Sequence, residues 1–158
     1  MSRQAWRIAA DTPNYLADDL SGTGAKITGG RWNRAGIPLL YCAENIALAC
    51  METLVHTKAS GLPLNRYLVR LEIPDPLWQA AQRLTADSAP VGWDAVPVGK
   101  ASLDFGDAWA NSLASAVLLV PSVIVPDEHN ILINPLHPDA ARISATKLRR
   151  WLYDSRLL

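Results

Sequence analysis

Apolar and polar positions change rhythm several times along this chain. Residues 37–42, IPLLYC, form a short apolar run behind a Gly- and Asn-rich turn, while residues 65–73, NRYLVRLEI, alternate so that Tyr67, Val69, Leu71 and Ile73 share one face. Both patterns predict β-strands. Between them, AENIALACMETLVH (43–56) has the length and the Ala, Leu, Met and Glu content of an α-helix, with Glu44 in a first turn where the helix dipole favours an acid. This helix is apolar nearly all round, which predicts burial on more than one side and leaves Glu52 at the edge of the core or on a cavity wall.

The second strand is expected to stop at Pro74-Asp75-Pro76, and the Pro- and Gly-containing stretch 87–99 reads as a long surface loop. Residues 104–115, DFGDAWANSLAS, open with aspartates suited to a helix start and set Trp109 and Leu113 four apart on one face. AVLLVPSVIVP (116–126) and NILIN (130–134) then predict two further strands, with a bend at Pro121-Ser122. The tail ISATKLRRWLYDSRLL is compatible with a helix or a twisted strand, and periodicity does not choose between them.

Eleven scattered prolines, no internal repeat and no low-complexity linker make the 158 residues read as one domain, 1–158. Fifteen basic residues balance fifteen acidic ones, so no overall field holds nucleic acid or an anionic membrane, and any anion must be gripped locally. Cys42 and Cys50 lie in apolar surroundings that suit reduced, buried thiols. No secretory apolar core opens the chain and no stretch reaches the roughly 18 apolar residues of a membrane span. The expectation is a cytoplasmic protein without membrane contact.

Two residues stand out chemically. Arg31 follows Gly29-Gly30 and precedes Trp32-Asn33, a setting in which a guanidinium fork beside an aromatic plate can grip phosphate; an exposed hairpin arginine is the plainer alternative. Glu52 is surrounded by Ala49, Cys50, Met51, Leu54 and Val55, and a carboxylate in such company needs a partner. Arg31 is the obvious candidate, with His56 one helical turn away; a structural ion pair or a solvent-facing Glu stays open. A carboxylate beside Arg31 and Tyr41 could bind a ribose hydroxyl and stabilise positive charge developing on a sugar ring. His56, His129 and His137 lack metal-ligand spacing, so no metal is expected. Ser102, Ser112, Ser115 and Ser122 show no nucleophile elbow, and Lys147, Arg149 and Arg150 beside Trp151 read as a solvated face rather than a nucleic-acid site.

The stretches GGRWNRAGIPLLYCAENIALACMETLVH, GDAWANSLASAVLLVPSVIVPDEHNILINPLHP and YDSRLL together resemble the RES-domain family, toxins of bacterial type II toxin-antitoxin pairs, over almost the whole chain. The family Arg falls on Arg31, its Tyr on Tyr41, its Glu on Glu52 and its Ser on Ser122 rather than Ser112 or Ser115. Asp154-Ser155 replaces the family's usual Asp-Pro. The resemblance implies a compact α+β domain with a mixed, split sheet and flanking helices like that of ADP-ribosyltransferases, and a tail that is a strand. It implies NAD as co-substrate, bound by Arg31, Tyr41, Glu52 and Ser122, with the first three catalytic. It further implies transfer of ADP-ribose to a protein, an enzyme of nucleotide synthesis being one such target. A cognate Xre-like helix-turn-helix antitoxin would cover the site and make any DNA contact itself. Water or phosphate as acceptor, an RNA-cleaving toxin and a non-catalytic binding module are the alternatives.

Overall fold

The computed structural model describes residues 1–56 and 61–157. Its frame is one seven-stranded sheet built from β1 (Ser2–Ala10), β2 (Leu40–Ala43), β3 (Arg66–Pro74), β4 (Gln82–Arg83), β5 (Val117–Pro121), β6 (His129–Ile133) and β7 (Ser144–Trp151), in the spatial order β4-β5-β6-β2-β1-β3-β7. All neighbours are antiparallel except β4 and β5. Four helices flank it: α1 (Thr23–Thr28), α2 (Ile46–Leu54), α3 (Asp75–Gln79) and α4 (Lys100–Ser112). The architecture is therefore mixed α+β. Among the described residues no helix is long and apolar enough to cross a membrane.

Strand alternation sorts the core into layers. Ala5 and Ala9 of β1, Leu40 and Cys42 of β2, Val69, Leu71 and Ile73 of β3, Val117 and Leu119 of β5, and Ile131 and Ile133 of β6 form one continuous cluster on one face. The opposite face carries two separate clusters. At the β5–β6 end, Leu118, Val120 and Leu132 pack with Trp32, Trp93 and Trp109. At the β1–β3 end, Ile8, Ala43 and Leu68 pack with Leu48 and Ala49 of α2. β1 and β3 pair along their whole nine-residue lengths, whereas β1 and β2 meet only at Trp6 and Ala43. The sheet splits there, and Arg7 bridges the split by donating from Nη1 to the Tyr41 carbonyl at 2.7 Å.

Several sequence expectations need correction. The helix expected over 43–56 begins only at Ile46, because Asn45 is its N-cap and accepts from Leu48 N–H. Glu44 thus stands outside it, where its Oε1 accepts from His129 N–H at 3.2 Å. Nor is α2 buried on several sides: Leu48 and Ala49 are its buried residues, while Met51 and Val55 are 43% and 58% exposed. The helix expected over 104–115 starts four residues earlier, at Lys100, and Leu113 leaves it at a left-handed C-cap, so Leu113 does not join Trp109 in the core. The strand expected over 116–126 ends at Pro121. The tail is a strand, β7, at the edge of the sheet, where its basic residues guard unpaired backbone groups. There Lys147 pairs with Asp11 at 2.9 Å and Arg149 stacks over Trp151.

Candidate functional site

Arg31 lies in a turn, Gly30-Arg31-Trp32-Asn33, closed by Gly30 N–H donating to the Asn33 carbonyl at 3.0 Å. From below, the Tyr41 hydroxyl on β2 accepts from Trp32 N–H at 3.0 Å and donates to Asn33 Oδ1 at 2.6 Å. A Cβ on Gly30 would come within 2.6 Å of that hydroxyl, so glycine is required here by close approach. Burial pushes the Tyr41 phenol well above its usual range, which keeps it protonated and donating.

The same turn is pinned from the side by α4. Asp107 accepts from Arg34 N–H at 3.0 Å and from Arg34 Nη1 at 2.7 Å. Gly106 lies so near the Trp32 carbonyl that a Cβ would fall 1.7 Å from its oxygen. The Trp32 ring, 2% exposed, meets Phe105 edge-on. Of the turn's side chains, that of Arg31 reaches across to the expected loop. Its Nη1 donates to the Trp93 carbonyl at 2.9 Å and the Ala95 carbonyl at 2.8 Å. Its Nε and Nη2 make no hydrogen bond to the described residues, which leaves two nitrogens carrying three N–H donors for a ligand. Burial lowers the Arg31 pKa, opposed by the negative charges of Glu52 and then Asp94; a guanidinium stays cationic through such shifts.

Glu52 is aimed by α2. It follows Leu48 by four residues and Ala49 by three, so it shares the face that packs on the sheet. Its Oε1 accepts from Ser122 Oγ at 2.7 Å and from Asn130 Nδ2 at 2.8 Å. Ser122, fully buried just beyond β5, already accepts from Ile124 N–H and Val125 N–H. Its single hydroxyl proton therefore goes to the carboxylate. Asn130 projects from β6 on the same face as Leu132, and its buried Oδ1 has no hydrogen-bond partner among the described residues. Glu52 Oε2 has no hydrogen-bond partner among the described residues. Both Oε1 donors come from the sheet face between the two clusters.

The structure thus brings Glu52 and Ser122 into direct contact and joins Tyr41 to the Arg31 turn. The expected Arg31–Glu52 ion pair is not formed: each group has its own partners, and the two interact only through their fields. His56 is exposed past the end of α2, and the hydrogen bonds to the Glu52 carboxylate come from Ser122 and Asn130 instead. Asn33, Asn130 and the carbonyls of Trp93 and Ala95 were not anticipated. A groove of about 250 Å³ lined by Leu20, Leu40, Ile133 and His137, among others, includes none of the site residues. Among the described residues no three His, Cys, Asp or Glu side chains cluster as metal ligands.

Comparison with known proteins adds a family. Residues 4–154 match the RES domain. Over all 158 residues the chain is 58% identical to the "Prs ADP-ribosylating toxin" of Sphingobium sp. (strain YBL2), covering 98% of that protein. It is 36% identical to a "Toxin Res" of Yersinia enterocolitica, with 90% of this chain and 93% of that one aligned. A "Toxin Res" of Pseudomonas putida is 35% identical over 96% of this chain and 97% of its own length.

Proposed function

This chain belongs to the RES-domain family, and on that premise we propose that it is an ADP-ribosylating toxin that breaks the nicotinamide–ribose bond of NAD and passes ADP-ribose to a protein. The observation that carries the reading is the Glu52 carboxylate, held by two donors on Oε1 and with no hydrogen-bond partner on Oε2 among the described residues. A carboxylate fixed in this way does not reorganise when positive charge develops nearby, which is the condition for strong electrostatic stabilisation.

In this mechanism Glu52 Oε2 accepts from a ribose hydroxyl, and its charge stabilises the oxocarbenium-like transition state. The C–N bond breaks with its electron pair going to nicotinamide, which leaves neutral. The acceptor attacks the anomeric carbon and loses a proton. Arg31, with Nη1 anchored to the loop, offers Nε and Nη2 to the pyrophosphate oxygens. Tyr41 presents its ring to the nicotinamide or its ribose, and Ser122, buried with its hydroxyl proton committed to the carboxylate, serves NAD binding by holding Glu52 in place. No metal is required by this scheme.

The acceptor named in the Sphingobium relative, Prs, is the first protein to test. As a family toxin the chain is also paired with an antitoxin, for which we propose a helix-turn-helix protein with a segment that covers the site. Met51 and Val55, exposed on the helix that carries Glu52, offer apolar surface to such a segment.

The test is incubation with labelled NAD, Prs and cell lysate, with products followed by mass spectrometry in the presence and absence of phosphate. A labelled protein is expected, with labelling at least ~100-fold slower in Glu52→Gln, the scale of losing one electrostatic stabiliser. NAD loss without a labelled protein would replace transfer by degradation with water or phosphate as acceptor. Unchanged NAD accompanied by RNA breakdown would reject the NAD chemistry altogether.

A further inference from the structure

Reading the site as an NAD site, we propose that Asn33 and the Tyr41 hydroxyl form a positioning pair that acts on NAD solely through Arg31. The hydroxyl is not free to serve a ligand. Its one proton is given to Asn33 Oδ1, it already accepts from Trp32 N–H, and Gly30 covers it so closely that a methyl group would collide. Whatever the Tyr41 ring contributes, its oxygen faces into the protein.

Asn33 is equally committed. It is 1% exposed. Its Nδ2 donates to the carbonyls of Ala25 and Ile37, both at 2.9 Å, and more distantly to that of Arg34 at 3.3 Å. Its backbone carbonyl closes the turn on Gly30. One side chain thus ties together α1, β2 through Tyr41, and the 34–37 segment, with Arg31 in the turn at their junction. Aspartate would set an oxygen against two carbonyl oxygens, and serine cannot span the three partners.

Within the turn, Gly30 has no side chain and Trp32 and Asn33 are buried, so the Arg31 guanidinium is the group through which the mount can reach substrate. A displaced turn also pulls Arg31 Nη1 from the Trp93 and Ala95 carbonyls and changes where Nε and Nη2 point. The pair should therefore influence binding of the anionic part of NAD more than bond cleavage, which is assigned to Glu52. A tyrosine whose hydroxyl touches the reacting ribose would behave in the opposite way.

The experiment is a double-mutant cycle on the full chain with Tyr41→Phe, Arg31→Lys and the double variant, following KM for NAD, kcat for NAD consumption and thermal stability. Tyr41→Phe alone is expected to raise KM about tenfold with kcat changed less than about threefold. In the Arg31→Lys background, where the fork is already lost, Tyr41→Phe is expected to add less than about twofold, because coupled residues are non-additive. Asn33→Asp is the second arm and should show the same KM-weighted, non-additive pattern. An equal tenfold effect in both backgrounds, or a loss confined to kcat, overturns the pairing while leaving the NAD reading intact. Should Arg31→Lys consume NAD as well as the unsubstituted protein does, the functional reading fails and the pairing with it.

Discussion

The two walls of the site hold their charged groups by opposite means. Arg31 stands on a mount made of its own turn: Trp32 and Asn33 are buried at 2% and 1% exposure, Tyr41 props them from below, and α4 presses against the Trp32 carbonyl. Its guanidinium then leans outward on two loop carbonyls. Glu52 stands on a nine-residue helix with two buried residues, and its head group is secured from across the site by Ser122 and Asn130. The arginine wall is held by packing and by hydrogen bonds within its own turn, the glutamate wall by charge-assisted hydrogen bonds from across the site. Added volume should therefore injure the arginine wall alone, whereas loss of a polar head should lower NAD affinity on the arginine wall and kcat on the glutamate wall.

The sharpest way to break this contrast is Gly106→Ala. One added methyl would fall 1.7 Å from a backbone oxygen, and because the obstruction is main chain the helix itself must retreat. Overpacking costs typically 1–3 kcal/mol and occasionally more, and the main-chain obstruction puts this case at about 3 kcal/mol or above. Denaturant unfolding measures it. NAD affinity should fall with it, since the retreat of α4 releases Asp107 from Arg34 and loosens the turn. A loss under about 1 kcal/mol would show that the arginine wall yields as readily as the other.

On the glutamate wall the matching substitution is Asn130→Ala. It deletes one donor to Oε1 and also an amide oxygen that has no partner among the described residues, so the fold loses little. A hydrogen bond to a charged group is worth about 2 kcal/mol, which corresponds to roughly 30-fold in kcat, with KM and unfolding midpoint nearly constant. Ser122→Ala is the harsher companion, because the same oxygen also accepts from Ile124 and Val125 N–H and the bend after β5 would loosen. If Asn130→Ala lowers stability and leaves kcat alone, the carboxylate is held by its helix and the contrast between walls disappears.

This division explains what could be read in the chain beforehand. β3 and β6 were legible because alternation and short apolar runs reflect burial directly. β1 was not, since Ala5 and Ala9 pack on one face while Trp6 and Ile8 pack on the other, which erases the alternation of a one-sided strand. Arg31, Tyr41, Glu52 and Ser122 were named because their residue types are unusual where they stand or match a family pattern. Their arrangement was hidden. The Arg31 partners are backbone carbonyls, which any residue supplies, and Asn130 meets Glu52 across 78 positions through sheet pairing. Nearness along the chain suggested an Arg31–Glu52 pair; the face that Leu48 and Ala49 bury turns the carboxylate toward the sheet instead.

The smallest expected effect tests how far the glutamate wall extends. Thr53, next to Glu52, shares a 2.7 Å hydroxyl contact with Tyr153, which follows β7 and packs with Trp151 in the α2 cluster. Partial burial raises the Tyr153 pKa, so the phenol is neutral at ordinary pH and Tyr153→Phe removes a hydrogen bond without removing a charge. A net loss of about 1 kcal/mol follows, seen as roughly 2–4 °C in melting temperature for a chain of this size. Because Ser122 and Asn130 fix Oε1 independently of the tail, kcat should change by less than about twofold. A larger fall in kcat at unchanged melting temperature would mean that the tail steers the carboxylate through Thr53, so that this wall also depends on a mount beneath it.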